Sequence, residues 1–306
     1  QKILAMLARA TIRKYKPMIV GVTGSVGKTS TREAIACVLL AHRSIGEGGV
    51  VKKYRVRQPE KNFNNEIGLP LTILGVPNYG RNIFWWLIAL VRVLAGLIIR
   101  DPHYPEVLVL EYGIDAPGDM DRLIAIARPS IGVVTAIGEI PVHVEFFKSP
   151  EDVVLEKQKL VQAVGAQGYA ILNADDERVY GMAKEMQAKV VTFGFEKRSD
   201  ISMMNYEITM PDGIAFQIEY ERNMVPMRLY GALGKPQAYA AAGAVAVGVS
   251  LGMNLADIAE ALQKYLPQPG RMRLIPGIHG SLILDDTYNA APASTRAALE
   301  TLKSIP

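Results

Sequence analysis

The residues best suited to chemistry come early in the chain. Thr23-Gly24-Ser25-Val26-Gly27-Lys28-Thr29-Ser30 follow a short apolar run, Met18 to Val22, and precede a helical run from Arg32 to Leu40. Strand, glycine loop, lysine, hydroxyl and helix stand in the order that a phosphate site requires. The glycines let backbone amides approach an anion, and the helix N-terminus adds partial positive charge. Lys28 can reach β- and γ-phosphates, and the Thr29 hydroxyl can ligate Mg2+. The spacing departs from the common phosphate loop: Val22 stands where Gly-x4-Gly-Lys-Thr has its first glycine, and Gly24 stands three residues before Gly27. Taken alone, the loop leaves open a structural turn with a fortuitous lysine.

Elements that could hold such a loop recur along the chain. Met18 to Val22, Val107 to Leu110, Ile131 to Thr135, Tyr169 to Leu172 and Val190 to Phe193 are short, apolar and rich in β-branched residues, with helical runs between them. This alternation predicts an α/β fold, a mostly parallel sheet flanked by helices. Glu111 follows one apolar run, at the edge where such sheets bind ligands, which suits a Mg2+ carboxylate; a satisfied surface carboxylate is the alternative. Between Ile201 and Tyr230 polar and apolar residues alternate around Pro211-Asp212-Gly213, which predicts an antiparallel hairpin at the sheet edge. Gln237 to Gly252 reads as a buried, alanine-rich helix and Ala256 to Tyr265 as the next. Pro267 to Arg273 reads as a linker, Ser281 to Asp285 as a strand and Ser294 to Lys303 as a helix. Asp175 and Asp176 follow a strand and could cap a helix or touch a ligand.

Composition narrows the class. Of 306 residues 49% are hydrophobic and 21% charged, which is globular rather than disordered. The formal charge of +4 comes from 34 basic against 30 acidic residues without a long basic block, so no nucleic-acid partner is expected. The single cysteine, Cys37, excludes an internal disulfide framework, fits a cytoplasmic protein and reads as a buried structural thiol. Residues 1–17 have an amphipathic, basic helical pattern without the apolar core of a signal peptide. Asn82 to Ile99 contains only Asn82 and Arg92 as strongly polar residues. Its length approaches that of a transmembrane helix, but Arg92 near the centre and the flanking Arg81, Arg100, Trp85 and Trp86 suit an interfacial helix better. A buried helix, or one covering an oligomer surface, is the ordinary reading. Peripheral contact at the inner face of the membrane is the second and a true span the third.

Thr-Gly-Ser-x-Gly-Lys-Thr-Ser resembles the phosphate loop of the Mur ligases and the related folylpolyglutamate and poly-γ-glutamate synthetases. Lys61-Asn62-Phe63-Asn64-Asn65-Glu66-Ile67-Gly68-Leu69-Pro70 resembles the asparagine-rich loop of the branch that adds D-alanyl-D-alanine. Glu111-Tyr112-Gly113 with Pro117-Gly118-Asp119, Asn173-Ala174-Asp175-Asp176, Gly270-Arg271-Met272 and Asp285 to Pro292 match that branch in order, from about residue 18 to the end. The resemblance implies a central ATP-binding domain over 18–269 with 82–100 as an apolar helical insertion, and a linker with the start of a C-terminal domain over 270–306. It implies ATP-dependent amide formation through an acyl phosphate, adding D-Ala-D-Ala to a UDP-muramoyl-tripeptide carboxylate in peptidoglycan precursor synthesis. The same resemblance assigns ATP to residues 23–30, Gln237, Arg271, Asp286 and Asn289, and the precursor to Asn62, Asn64 and Asn65. Two Mg2+ ions are implied, at Thr29 and Glu111 and at His143 and Lys157, the lysine being carbamylated. From its residue type alone His143 would read as structural, and neighbouring Lys159 competes with Lys157. Tyr288 is read as packing.

Two departures stand out. Gln237 offers one amide where the family has an asparagine near the adenine, and Ala240 offers none at the second. Substantial flanking domains for the UDP-sugar and the amine are expected to be missing, so the chain by itself is expected to be catalytically incomplete. The rival readings are another amino-acid ligase of the superfamily, such as a poly-γ-glutamate synthetase, and a noncatalytic nucleotide-binding or membrane-associated scaffold. The asparagine-rich loop argues against the first and the joint presence of Lys28, Glu111, His143 and Lys157 against the second.

Overall fold

The computed structural model describes residues 1–45, 51–60, 63–139, 141 and 144–305. Asn62 and His143 lie outside the described residues. Nine strands form one sheet: β1 (Met18–Thr23), β4 (Val56–Arg57), β5 (Val107–Glu111), β6 (Ile131–Val134), β7 (Tyr169–Asn173), β8 (Lys189–Gly194), β9 (Ile201–Thr209), β10 (Gly213–Tyr220) and β11 (Asn223–Tyr230). Their order is β11-β10-β9-β8-β7-β6-β1-β5-β4. Strands β4 to β9 and β1 pair in parallel, whereas β9, β10 and β11 pair antiparallel. The expected edge hairpin is therefore extended by a third strand. Two further strands, β2 (Arg43–Ile45) and β3 (Val51–Lys53), form a separate pair.

Side-chain alternation gives each face of the sheet its own core. Val20 and Val22 of β1 face α2 (Lys28–Ala41), α8 (Lys235–Ser250) and α9 (Leu255–Leu262). Ile19 of β1 and Leu108 and Leu110 of β5 face the opposite layer, built from α1 (Lys2–Tyr15), α3 (Gly68–Leu74), α5 (Asp119–Ile126) and α6 (Pro150–Gln162). The alanine-rich α8 is buried all round, as a helix apolar on every side must be. At Gly243 an added Cβ would stand 3.1 Å from Thr31 Cγ2, so the small residue sets how closely α8 approaches α2. Cys37 is half-buried rather than buried, because it sits where α2 meets α9 at the surface, with its thiol donating to Ala261 O at 3.2 Å.

Two elements differ from expectation. The linker Pro267 to Arg273 ends in an unpredicted strand, β12 (Arg273–Pro276), which pairs with β13 (Leu282–Asp285) ahead of the helix α10 (Pro292–Lys303). The apolar stretch forms the helix α4 (Ile83–Ile98), with Asn82 as N-cap, but α4 is not buried: only Ala89 is sequestered, and most of its large side chains are exposed. A single narrow stripe reaches the body of the protein, because α4 packs over α1 and the end of α3 instead of entering a core. No helix among the described residues is long and apolar enough to cross a membrane.

Candidate active site

Strand β1 lies between β5 and β6; the chain leaves β1 toward the β4 edge and leaves β6 toward β7, so the C-terminal ends of β1 and β6 flank the switch point where open α/β sheets bind ligands. The register puts Val22 beside Glu111 and Thr23 beside Val134, which brings the phosphate loop, Glu111 and Thr135 to one edge. Gly24 has φ +145°, and a Cβ there would stand 2.0 Å from Thr135 Oγ1, so glycine is required at this close approach. Thr135 Oγ1 ties the loop down through Thr23 O at 3.1 Å and Val26 O at 2.6 Å. Gly27, with φ 88°, precedes α2, whose first turn has no side-chain cap, leaving its leading amides directed into the loop. Ser25 Oγ is buried and makes no hydrogen bond among the described residues. An unsatisfied hydroxyl enclosed by loop amides is the arrangement an anion completes.

The charged groups converge on the same point. Thr29 Oγ1 donates to Glu111 Oε2 at 2.9 Å, Asn64 Nδ2 donates to Glu111 Oε1 at 3.1 Å, and Arg32 Nη1 lies 3.9 Å from Glu111 Oε2. Because its proton goes to Glu111, the Thr29 oxygen keeps lone pairs for a hard cation, so these two oxygen-bearing side chains fit Mg2+ that retains waters and phosphate oxygens. Lys28 Nζ donates to Gly24 O at 2.9 Å and Lys157 Nζ donates to the same oxygen at 3.1 Å. Helix α6 holds Lys157 there: Ser149 caps it through Asp152 N, Pro150 opens its first turn, and Glu151 and Asp152 complement the helix dipole. Lys157 is 2% exposed, whereas Lys159 points outward to Asp121 and Glu156, which separates the two candidates. Burial, and then the charge of Lys28, hold the Lys157 amine well below its ordinary pKa against the pull of Asp115 and Glu156. Lys28 is also lowered, by burial first and by Arg271, with Glu111 and Asp115 opposing. As an ammonium Lys157 does not fit a metal; its depressed basicity favours the neutral amine, the form that CO2 carbamylates.

Three connected recesses surround this point. One of about 210 Å³ contains Thr29, Glu111, Arg271, Asp286 and Asn289. The Arg271 guanidinium sits 4.0 Å from the centre of the Tyr288 ring, so Tyr288 orients a cation as well as packing. Asp286 accepts from Met272 N at 3.1 Å, and burial raises its carboxyl pKa. A larger cavity of about 490 Å³ shares Val26, Gly27 and Pro236 with the first and is lined further by Asn173, Phe193 and Tyr239. A recess of about 60 Å³ brings Lys28 and Lys157 together with Asn64, Asn65 and Asp115.

Several sequence-named residues have structural duties. Gln237 is buried with its Nε2 donating to Arg271 O at 2.7 Å and its Oε1 accepting from Tyr265 at 2.7 Å, so its amide anchors the linker instead of facing the larger cavity. Asp176 caps the short helix α7 (Glu177–Gly181) and accepts from Ile137 N and Gly138 N. Asp175 accepts from Tyr239 Oη at 2.6 Å at the wall of the larger cavity. Asn65 Oδ1 accepts from Gly68 N at 2.9 Å, at the start of α3. Sequence reasoning missed Thr135, Arg32 and Tyr239. Thr135 had a signal, a hydroxyl at the end of a strand beside β1; the other two follow only from tertiary packing.

The Mur ligase middle domain family matches residues 22–85 and 95–248. The chain belongs to that family. It is 30% identical over 304 residues to the UDP-N-acetylmuramoyl-tripeptide--D-alanyl-D-alanine ligase of Bacillus subtilis strain 168, covering 99% of this chain and 56% of that protein. The enzyme of the same name from Mycobacterium leprae is 31% identical, covering 99% of this chain and 54% of that protein. Among solved structures, the MurF ligase of Thermotoga maritima in complex with ADP superposes with a TM-score of 0.79 at 26% identity, over 100% of this chain and 61% of that one. The chain thus spans about half the length of the curated relatives it matches.

Proposed function

We propose that this chain is the ATP-binding and phosphoryl-transfer part of a ligase that joins the terminal carboxylate of a UDP-N-acetylmuramoyl-tripeptide to D-alanyl-D-alanine. The carboxylate attacks the γ-phosphorus of ATP and ADP leaves. The amine then attacks the acyl phosphate, releasing inorganic phosphate and forming the amide. The observation that carries this reading is the convergence of Lys28, Lys157, Thr29 and Glu111 on one glycine loop in a chain whose relatives bear this activity in their names.

In this reading the amides of residues 24–30 and Lys28 bind the phosphates, the cavity beside Asn173 and Tyr239 takes the base, and Arg271, Asp286 and Asn289 close over the nucleotide. Asn64 and Asn65, in the recess with both lysines, border the incoming carboxylate, joined by Asn62. Bringing a carboxylate to a triphosphate opposes two anions, and fixed positive charge must offset that repulsion in the transition state. Lys28 supplies part of it. Thr29 and Glu111 would hold one Mg2+, and His143 with a carbamylated Lys157 a second; when bound, these ions neutralise phosphate charge. Residues 270–306 are proposed to begin the domain that receives the amine, and the reaction is proposed to run in the cytoplasm, where ATP is available.

The test is isotopic. With 18O in the precursor's terminal carboxylate, one label should appear in the released phosphate. Among D-alanyl-D-alanine, L-glutamate and L-alanine offered as amines, only the dipeptide should support turnover. Label retained wholly in the product, or preference for glutamate, would refute the proposed reaction.

A further inference from the structure

The outer face of α4 belongs to no site described above. Trp86, Ala89, Val93 and Gly96, spaced three, four and three residues apart, form its inner stripe. Trp86, Ala89 and Val93 pack near Leu71 and Val76, and Gly96 O accepts from Lys14 Nζ at 2.9 Å and Tyr15 Oη at 2.8 Å. The opposite side presents Phe84, Leu87, Val91, Leu94 and Ile98, of which Val91 is 67% and Ile98 83% exposed. Arg92, three residues beyond the inward Ala89, falls on the flank near Arg57 and not on that apolar face. Ile3 and Met6 of the adjoining α1 are also exposed. Residues 86–94, the centre of α4, fall between the two segments that match the family.

Charge decides what this face can meet. Residues 1–17 and 81–100 together hold Lys2, Arg9, Arg13, Lys14, Lys16, Arg81, Arg92 and Arg100, and no aspartate or glutamate, in a chain with 34 basic and 30 acidic residues. At the start of α4, Tyr79 stacks on Trp85 at 5.9 Å and meets Trp86 edge-on at 5.7 Å, an amphipathic aromatic group of the kind that settles at headgroup depth. The helix is about 24 Å long by its rise per residue and is too short to span.

We propose that α4, with the basic α1 beside it, docks the protein on an anionic lipid bilayer, lying in the plane of the interface with its outer apolar side among the acyl chains and the surrounding lysines and arginines against the headgroups. A second copy fits less well. A two-fold contact would set α1 and α4, which carry no carboxylate of their own, against their equals, with Asp101 beside Tyr15 as the adjoining acid against eight basic residues. Anionic headgroups pair those charges, and the attraction is screened by salt.

The test is flotation of the protein, flanking sequence included, with vesicles of phosphatidylcholine alone and of phosphatidylcholine with phosphatidylglycerol. Wild type should float only with the anionic vesicles and be released by high salt. Phe84→Ser/Leu87→Ser/Val91→Ser alters exposed side chains only, and should retain the melting temperature while losing at least about tenfold in vesicle affinity. Vesicle binding should also blue-shift a tryptophan emission component that Trp85→Phe removes, a readout that does not depend on the triple variant. Wild type left at the bottom of the gradient with anionic vesicles, unchanged binding by a folded triple variant, or dimerisation through this face without vesicle binding would each overturn the proposal.

Discussion

Lys157→Met should stabilise the protein while abolishing its activity. The lysine is 2% exposed and shares Gly24 O with Lys28, at 3.1 Å and 2.9 Å respectively. Methionine is of similar length and fills the same space without a charge. The substitution forfeits one hydrogen bond, about 1 kcal/mol, and relieves the burial of an ionisable amine beside the charge of Lys28, a cost of several kcal/mol. The net expectation at neutral pH is a gain of roughly 1–3 kcal/mol, or about 2–8 °C in Tm for a chain of this size. The sign of the pH dependence follows from the folded-state pKa lying well below the ordinary 10.5. Between those two values the unfolded wild type binds more protons than the folded one, so wild-type stability rises with pH across that window. The variant lacks this contribution, and in CO2-free buffer, where Lys157 is a free amine and not the proposed carbamate, its advantage should shrink between about pH 7 and about pH 9.5. Urea unfolding of both proteins at the two pH values measures this directly. A variant less stable than wild type at neutral pH, or an advantage that grows with pH, would refute the reasoning.

Gly24→Ala should cost about 2–4 kcal/mol, because the new Cβ displaces the Thr135 hydroxyl from both of its loop carbonyls at a strained φ. Adding Thr135→Ala should restore only part of that loss, since Ala136 O still lies 3.2 Å from the new atom; denaturant midpoints decide it. Glu111→Gln keeps the shape of the site but removes the anion facing Thr29, Asn64 and Arg32, so turnover should fall at least about a hundredfold with a raised Mg2+ requirement. Gln237→Leu removes the acceptor of the buried Tyr265 hydroxyl and the side-chain donor to the Arg271 carbonyl, and should destabilise by roughly 2–4 kcal/mol in thermal unfolding.

The phosphate loop was legible because its chemistry needs contiguous residues, and the parallel strands because burial on both faces writes an uninterrupted apolar run. The burial of Lys157 rather than Lys159 was also legible in principle. Lys157 lies one helical turn after the buried Val153, whereas Lys159 is rotated well away from that line. The surroundings of α4 were not legible, because a run of apolar residues looks the same whether a core or only one narrow stripe receives it. β12 was hidden in a linker because Arg273 to Pro276 becomes a strand only by pairing with β13. The occupation of Gln237 by Tyr265 and Arg271, and of Asp175 by Tyr239, joins residues distant in sequence and has no local signature.

The most direct test of the ligase reading is ADP release by the protein with its flanking sequence, given Mg·ATP, UDP-N-acetylmuramoyl-tripeptide and D-alanyl-D-alanine, with Lys28→Ala alongside. ADP should accumulate only when both co-substrates are present and should be lost in the variant. ADP release that is indifferent to either co-substrate, or ATP binding without turnover when all three are supplied, would contradict it.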